Sequence, residues 1–300
     1  MAAIRVRDLR KSYGAMEAVR GVDFDVEEGE VFGFLGPNGA GKTTTVEILE
    51  GYRQRSAGEV TVLGHDPAKG ERALRERIGI VLQETGVERF LTVAEVLELY
   101  CGYYPRPRAV DELLTLTGLE DKRNEVVKEL SGGQRRRLDL ALGLAGDPDL
   151  VFLDEPTTGF DPTARREAWE VIRNLRSLGK TIFLTTHYMD EAQHLADRVA
   201  VIAAGRIVAA GPPDRLAGRN RATEIRFTAP PDHRLPDLAG ASVTALDRGV
   251  VVRTDDPTAV LHVVTGWALE RGVTLDGLTV SRPTLEDVYL ELTAEAANGQ

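Results

Sequence analysis

One eight-residue loop, Gly36-Pro37-Asn38-Gly39-Ala40-Gly41-Lys42-Thr43, constrains this chain more than any other feature. It fits the pattern G-x-x-x-x-G-K-[ST], follows the apolar run VFGFL and precedes the helical pattern of Thr44 to Leu49. A strand, a glycine turn and a helix in that order place the turn at the carboxyl end of a strand, where α/β sheets bind their ligands. The glycines let backbone amides converge on phosphate oxygens with no side chain between them. Lys42 is then expected to reach the β and γ phosphates, the Thr43 hydroxyl to ligate magnesium, and Thr44 to add a donor at the helix start. A chain of this composition produces the pattern by chance only about 0.01 times.

The rest of the N-terminal two thirds supplies a sheet to hold that loop. IRVRDL and VDFDVEEGEVFGFLG read as strands ending at the loop, and EVTVLG and IGIVLQ as two more. A mostly helical stretch follows from about Val93 to Leu144, broken by PRPR at 105–108 and by Gly118. LVFLDEP, TIFLTTH and RVAVIAAG are short, nearly uninterrupted apolar runs, the pattern of strands buried on both faces of a mostly parallel sheet, with helices such as Ala164 to Leu178 between them. The predicted class is α/β. Past Gly211 the polar stretch PPDRLAGRNRA marks a linker, placing a domain boundary near 220. Beyond it, TEIRFT, ASVTALD, GVVVRTD and VTLDGLTVS suggest strands, and TAVLHVVTGWALERG and LEDVYLELTAEA amphipathic helices, so a small C-terminal α+β domain is expected over 221–300.

Charge and cysteine usage narrow the function. The net charge of −10 is shared evenly, with 30 basic against 35 acidic side chains in residues 1–220 and 7 against 12 in 221–300. An acidic protein lacks the electrostatic footprint of phosphate-backbone binding, so nucleic acid is not an expected partner. Arg135, Arg136 and Arg137, taken as the first turn of a helix, are expected to form surface ion pairs. Cys101 is the sole cysteine and is expected to be a packed neutral thiol; neither a disulfide nor a thiolate metal cluster can be built from it alone. No run approaches the roughly 18 apolar residues of a spanning helix, and MAAIRVRDLRKSYG has no signal-peptide core, so a cytoplasmic location is expected.

Two further strings carry chemistry. LVFLDE ends in two acids, so that Asp154 can hold the magnesium shell while Glu155 faces the γ phosphate. Leu130-Ser131-Gly132-Gly133-Gln134, just before RRRLDLAL, is expected by chance about 0.0001 times. Taken together, the order of motifs resembles the ABC ATPase family: phosphate loop, Gln83 after a strand, LSGGQ, an LDEP strand end, a TTGFDP turn and His187 at the end of TIFLTTH. The resemblance covers essentially 1–220 and implies a P-loop NTPase fold of the ABC ATPase type with a helical subdomain at about 85–145, binding ATP and Mg2+.

It also implies roles residue by residue. Tyr13 matches the aromatic that stacks on adenine, and Gln83 a magnesium ligand in a segment that reports nucleotide state to a membrane partner. Glu155 polarises the attacking water, and His187 holds that water or the γ phosphate. Ser131, Gly133 and Gln134 serve the nucleotide of an opposite subunit, which implies a head-to-tail homodimer sandwiching two ATP molecules. Asp161 belongs to a dimer-contact loop in which Phe160 stands where leucine is more usual. The stretch from Glu84 to Tyr104, with Phe90, Leu91, Val93, Tyr100, Tyr103 and Tyr104, is expected to face a separate membrane permease, which would hold the protein at the inner face of the membrane. The ending RPTLEDVYLELT resembles the ATPase subunits of daunorubicin-resistance type exporters, implying export of drugs or other hydrophobic small molecules. The alternative is a non-transport ABC ATPase acting on a soluble partner, while a metabolic P-loop kinase fails on LSGGQ.

Overall fold

The computed structural model describes residues 1–81, 86–217, 222–228, 235–246, 249–281 and 285–290. They fall into two compact units, Met1–Pro213 and Asp214–Glu291.

The first unit opens with β1 (Ala2–Tyr13) and β2 (Met16–Glu27), antiparallel strands joined by a turn at Gly14, followed by β3 (Val31–Leu35) and α1 (Lys42–Leu49). Then come β4 (Ala57–Val62), the short α2 (Arg72–Arg75), β5 (Ile78–Val81), and the helices α3 (Val93–Cys101), α4 (Val110–Thr117) and α5 (Gly132–Gly143). The alternation of β6 (Leu150–Asp154), α6 (Pro162–Ser177), β7 (Thr181–Thr186), α7 (Met189–Leu195) and β8 (Arg198–Ala203) leads to β9 (Arg206–Gly211). Two sheets result. A three-stranded antiparallel sheet has the order β2-β1-β4, and a six-stranded sheet has the order β5-β6-β7-β3-β8-β9, parallel except for its β9 edge. EVTVLG therefore belongs to a separate antiparallel sheet, a partition that strand patterns alone do not reveal.

Alternation explains how the apolar runs are used. Val151, Leu153, Ile182 and Leu184 point into one core with α3–α6, while Phe152 and Phe183 point into another with β1, β2, β4 and α1. A strand buried on both faces has no polar side to show, hence the uninterrupted runs. Where the two sheets face each other, Phe24, Phe32, Phe34, Phe152 and Phe183 form a continuous aromatic cluster with centroid separations of 5.5 to 6.1 Å. Cys101 is buried, and burial pushes its thiol further up, away from reactivity.

The second unit begins within α8 (Pro213–Ala217) and contains β10 (Thr223–Thr228), β11 (Ser242–Leu246), β12 (Gly249–Thr254), α9 (Pro257–Arg271) and β13 (Asp276–Ser281), with a helical stretch at 285–290. Its antiparallel sheet has the order β11-β12-β10-β13. Ile225, Phe227 and Val252 meet Val260 and Val264 of α9 in a small core. On the opposite face the carboxylate of Glu224 is buried between Arg226 and Arg253, which hold it below the usual range against the cost of burial.

Candidate active site

Strand order decides what meets at the site. β6, β7 and β3 are parallel neighbours, and their register sets Asp154 beside Thr185 and Leu35 beside Thr186. The phosphate loop, the acid pair and the strand-end histidine therefore share one edge of the sheet, although the loop lies over 100 residues before the other two in the chain.

Under the loop, glycine is required for two reasons. A Cβ on Gly36 would lie 2.3 Å from the carbonyl oxygen of Ile202, and one on Gly41, at φ +105°, would lie 2.7 Å from that of Ala18. Packing beneath the loop thus forbids side chains as firmly as a ligand above it would. Lys42 is buried, its Nζ donating to the carbonyls of Gly36 (2.6 Å) and Pro37 (3.2 Å). Burial pulls its ammonium down, and the carboxylates of Glu155 and Asp154 act in the opposite sense. Thr43 and Thr44 sit in the first turn of α1. Tyr13 closes the cleft at the end of β1, the central strand of its sheet; its hydroxyl lies 3.5 Å from Thr44 Oγ1, and Lys11 and Arg53 lie over its ring. The cleft is lined by Tyr13, Asn38, Gly39, Gly41–Thr44, Asp154, Glu155 and His187, together with Met16 and Ala18. Pro37 is exposed at the tip of the loop, and Ala40 is buried beneath it.

The acid pair is held by named partners. Asp154 Oδ1 accepts from Thr185 Oγ1, and the Glu155 amide donates to the Thr185 carbonyl (3.0 Å) and hydroxyl (3.2 Å). Glu155 has φ +46°, left-handed backbone that costs a non-glycine residue about 1–3 kcal/mol and persists only where surroundings impose it. Its Oε1 lies 3.1 Å from His187 Nδ1, and its Oε2 accepts from Thr158 Oγ1 at 3.2 Å. His187, 41% exposed, reaches the cleft mouth, whereas Glu155 is only 17% exposed.

LSGGQ lies elsewhere. Ser131 is the N-cap of α5 and forms a capping box with Gln134: Ser131 Oγ accepts from the Gln134 amide (3.3 Å), and Gln134 Oε1 from the Ser131 amide (2.9 Å). With Gly132 and Gly133 these residues line a second cleft of about 800 Å³, whose walls include Arg89, Glu155, Thr158, Gly159, Phe160 and Asp161. Asp161 caps α6, its Oδ1 accepting from the amides of Thr163 (2.8 Å) and Ala164 (2.9 Å). The structure thus brings Lys42, Asp154, Glu155 and His187 together, and keeps Ser131, Gly133 and Gln134 out of that cleft, Glu155 being common to both. Gln83 lies outside the described residues.

The arginine triplet requires a correction. Arg137 pairs with Glu167 and donates to the Gly118 carbonyl, but Arg136 is largely covered, turned inward onto the end of β6, and the Arg135 Nε is buried. A helix start facing a strand end gives an arginine carbonyls to hold, and charge runs in a sequence do not report which side of a helix is covered. Sequence reasoning also passed over Thr185, readable in hindsight from TTH, and Glu191, which left no signal. Glu191 is buried and accepts from Thr157 Oγ1 (2.8 Å) and Trp169 Nε1 (3.1 Å), tying the turn after Glu155 to α6 and α7.

Fold and site together define an ATP-binding P-loop ATPase domain. A family model described as ABC transporter matches residues 19–158, and one for the C-terminal domain of ABC transporter domain-containing proteins matches 223–284. Among curated relatives, the daunorubicin resistance ATP-binding protein DrrA3 of Streptomyces coeruleorubidus is 40% identical, the match spanning 98% of this chain and 96% of the relative. The Nod factor export ATP-binding protein I of Rhizobium etli is likewise 40% identical, over 98% and 94%. Among solved structures, CbiO1 of Clostridium perfringens, described as part of an ABC transporter complex, aligns with a TM-score of 0.66 and 29% identity over 73% of this chain and 91% of that one. The chain belongs to the ABC transporter family as an ATP-binding subunit, an ATPase coupled to transport.

Proposed function

We propose that this subunit powers an export permease carried on another polypeptide, and that it hydrolyses ATP as a head-to-tail homodimer. The observation that carries the dimer is the split site. Lys42 and the loop amides line one cleft, and the LSGGQ helix start lines another on the same chain, so each copy holds two unlike half-sites. Apposing two copies head to tail joins each loop to the partner's LSGGQ. Ser131 and Gly133 at the start of α5 then offer helix-terminal amides to the γ phosphate, and Asp161 stands in the contact loop.

Within each half-site the residues suit phosphoryl transfer by positioning. Lys42, at the base of the cleft, is placed for the β and γ phosphates, and Tyr13 at its edge for the adenine. The Thr43 hydroxyl and the Asp154 carboxylate suit a magnesium ion, which is usually bound by one or two carboxylates together with phosphates and water. Among the described residues no group of three or more His, Cys, Asp or Glu could hold a metal, which suits a site completed by phosphates and water. When bound, magnesium neutralises charge developing on the transferred phosphoryl group. Glu155 Oε1 orients the attacking water and accepts its proton, and His187, in contact with that carboxylate, holds the water or the γ phosphate.

Support for a permease comes from the surface beyond β5. Phe90 is 76% exposed and Tyr103 70%, while Val93 is fully buried and Leu91, Tyr100 and Tyr104 pack on the helical core. Exposed aromatics on this surface suit the socket for a membrane partner's helix. Among the described residues no helix is long and apolar enough to cross a membrane. Docked on that partner, the chain would sit at the inner face of the membrane. Relatives named for daunorubicin resistance and Nod factor export favour drugs or other hydrophobic small molecules as cargo.

A Glu155→Gln protein tests the site. Its steady-state ATPase rate should fall by about 100-fold or more, while light scattering should show a dimer at saturating ATP with Mg2+ and a monomer without nucleotide. A variant that remains monomeric at saturating ATP overturns the dimer.

A further inference from the structure

Glu155 must be held in left-handed backbone, and the group that grips its carbonyl comes from an unexpected element. Arg136 lies at the start of the second turn of α5, two residues past LSGGQ, with its side chain only 11% exposed. Its Nη2 donates to the carbonyls of Asp154 (3.0 Å) and Glu155 (3.4 Å), and its Nε to that of Pro156 (3.2 Å). Asp139, one turn further along α5, places Oδ2 3.9 Å from Nη1 and keeps the fork turned towards the strand end. Three consecutive carbonyls, beginning at the acid pair, thus end on one planar cation. Thr185 holds the Glu155 amide from the other side.

We propose that Arg136 is a positioning residue for hydrolysis, coupling the helix that begins with LSGGQ to the backbone that presents Glu155. An arginine suits this because its donors lie in a rigid plane and can serve several acceptors together, which the single ammonium of a lysine cannot do in the same geometry. The strain at φ +46° gives the grip a purpose: released carbonyls allow the Glu155 peptide to relax towards ordinary backbone, carrying the carboxylate off His187. The consequence is coupling between sites. Engagement of LSGGQ with the partner's nucleotide fixes α5, α5 fixes the Glu155 peptide, and Glu155 acts on the nucleotide of its own chain. Engagement of LSGGQ then steadies a carboxylate that the chain already holds against His187. This inference rests on the role proposed for Glu155.

Arg136→Lys tests it. The expected result is a loss in kcat of about 100-fold, the scale of a small misplacement of a reacting group. KM for ATP and nucleotide affinity should stay within about threefold, the signature of an interaction that matters only to the chemical step. The Glu155→Gln/Arg136→Lys protein should still form the ATP-driven dimer, since neither the loop nor LSGGQ is altered. A merely structural arginine would instead lower melting temperature, affinity and dimerisation together with kcat. Arg136→Gln, which keeps an amide donor, provides a second variant judged by the same readouts. A folded variant with kcat within about threefold of the parent overturns the inference, as does failure of both variants to fold, which would make Arg136 a folding requirement alone. Glu155→Gln separates the two levels: if it hydrolyses at the parental rate, the proposed role of Glu155 falls. If it is inactive while Arg136→Lys is fully active, only the coupling falls.

Discussion

His187 and Glu155 sit at the ends of neighbouring strands, with Nδ1 and Oε1 3.1 Å apart before any nucleotide is considered. A carboxylate that touches its histidine partner is already limited in where it can point, which reduces the reorganisation needed at the moment of reaction. Removing the ring should therefore damage turnover more than binding, because Lys42 and the loop amides are untouched. His187→Ala is expected to lower kcat by about 100-fold with little change in nucleotide affinity, measured by steady-state hydrolysis beside equilibrium binding of a fluorescent ATP analogue. An equal loss in both would assign His187 to the binding of the ground state. These residues were readable as candidates because each ends an apolar run or a glycine loop. Arg136 and Glu191 were not, since burial against a strand end or between two helices leaves no pattern in a linear string.

At the level of elements, several residues of the proposed site also hold up helices. Ser131 and Gln134 form the capping box of α5, and Asp161 caps α6 with two amides. The cap at Asp161 has a measurable worth. Asp161→Ala should cost about 1 kcal/mol, lowering the melting temperature of the nucleotide-free protein by about 2–4 °C, whereas Asp161→Asn, which caps equally well, should not. Equal melting temperatures for Asp161→Ala and the parent would show that the cap contributes nothing there. The strands and helices themselves were largely legible in periodicity and breakers: α6 begins at Pro162 and ends at Ser177, against an expectation of Ala164 to Leu178. The hairpin of β1 and β2 was less so, because Met16-Glu-Ala-Val-Arg carries no clean alternation and the strand is defined by its pairing with β1.

Across the whole molecule, stability depends on a buried acid that feels the charge of Asp154. Glu50 ends α1 and is almost wholly buried; burial, with Asp154 and Glu47 adding, pushes its carboxyl up to about 8. In the unfolded chain the same group ionises near the ordinary value of about 4.3. Between these limits the native state binds the proton that the unfolded state has released, so stability falls as pH rises from about 4.3 through 8. Glu50→Gln removes the titration. In nucleotide-free protein the variant should therefore melt increasingly above the parent as pH is raised from about 5 to about 8.5, with the difference smallest at the acid end. A difference independent of pH would show that Glu50 is not a burdened acid.

By itself the sequence determined the glycine loop between strand and helix, the alternation of buried strands and helices, and the family, because these depend on short contiguous patterns of residue type. Only the tertiary structure decided which of those patterns meet. It split the strands of the first unit between two sheets sharing an aromatic core, and set the loop, the acid pair and His187 along one edge through the order β6-β7-β3. It placed LSGGQ in a separate cleft and turned one arginine of a charged triplet inward onto the backbone of Glu155. The physical reason is that strand order, register and the covered side of a helix are set by contacts between residues far apart in the chain, and no local pattern encodes them.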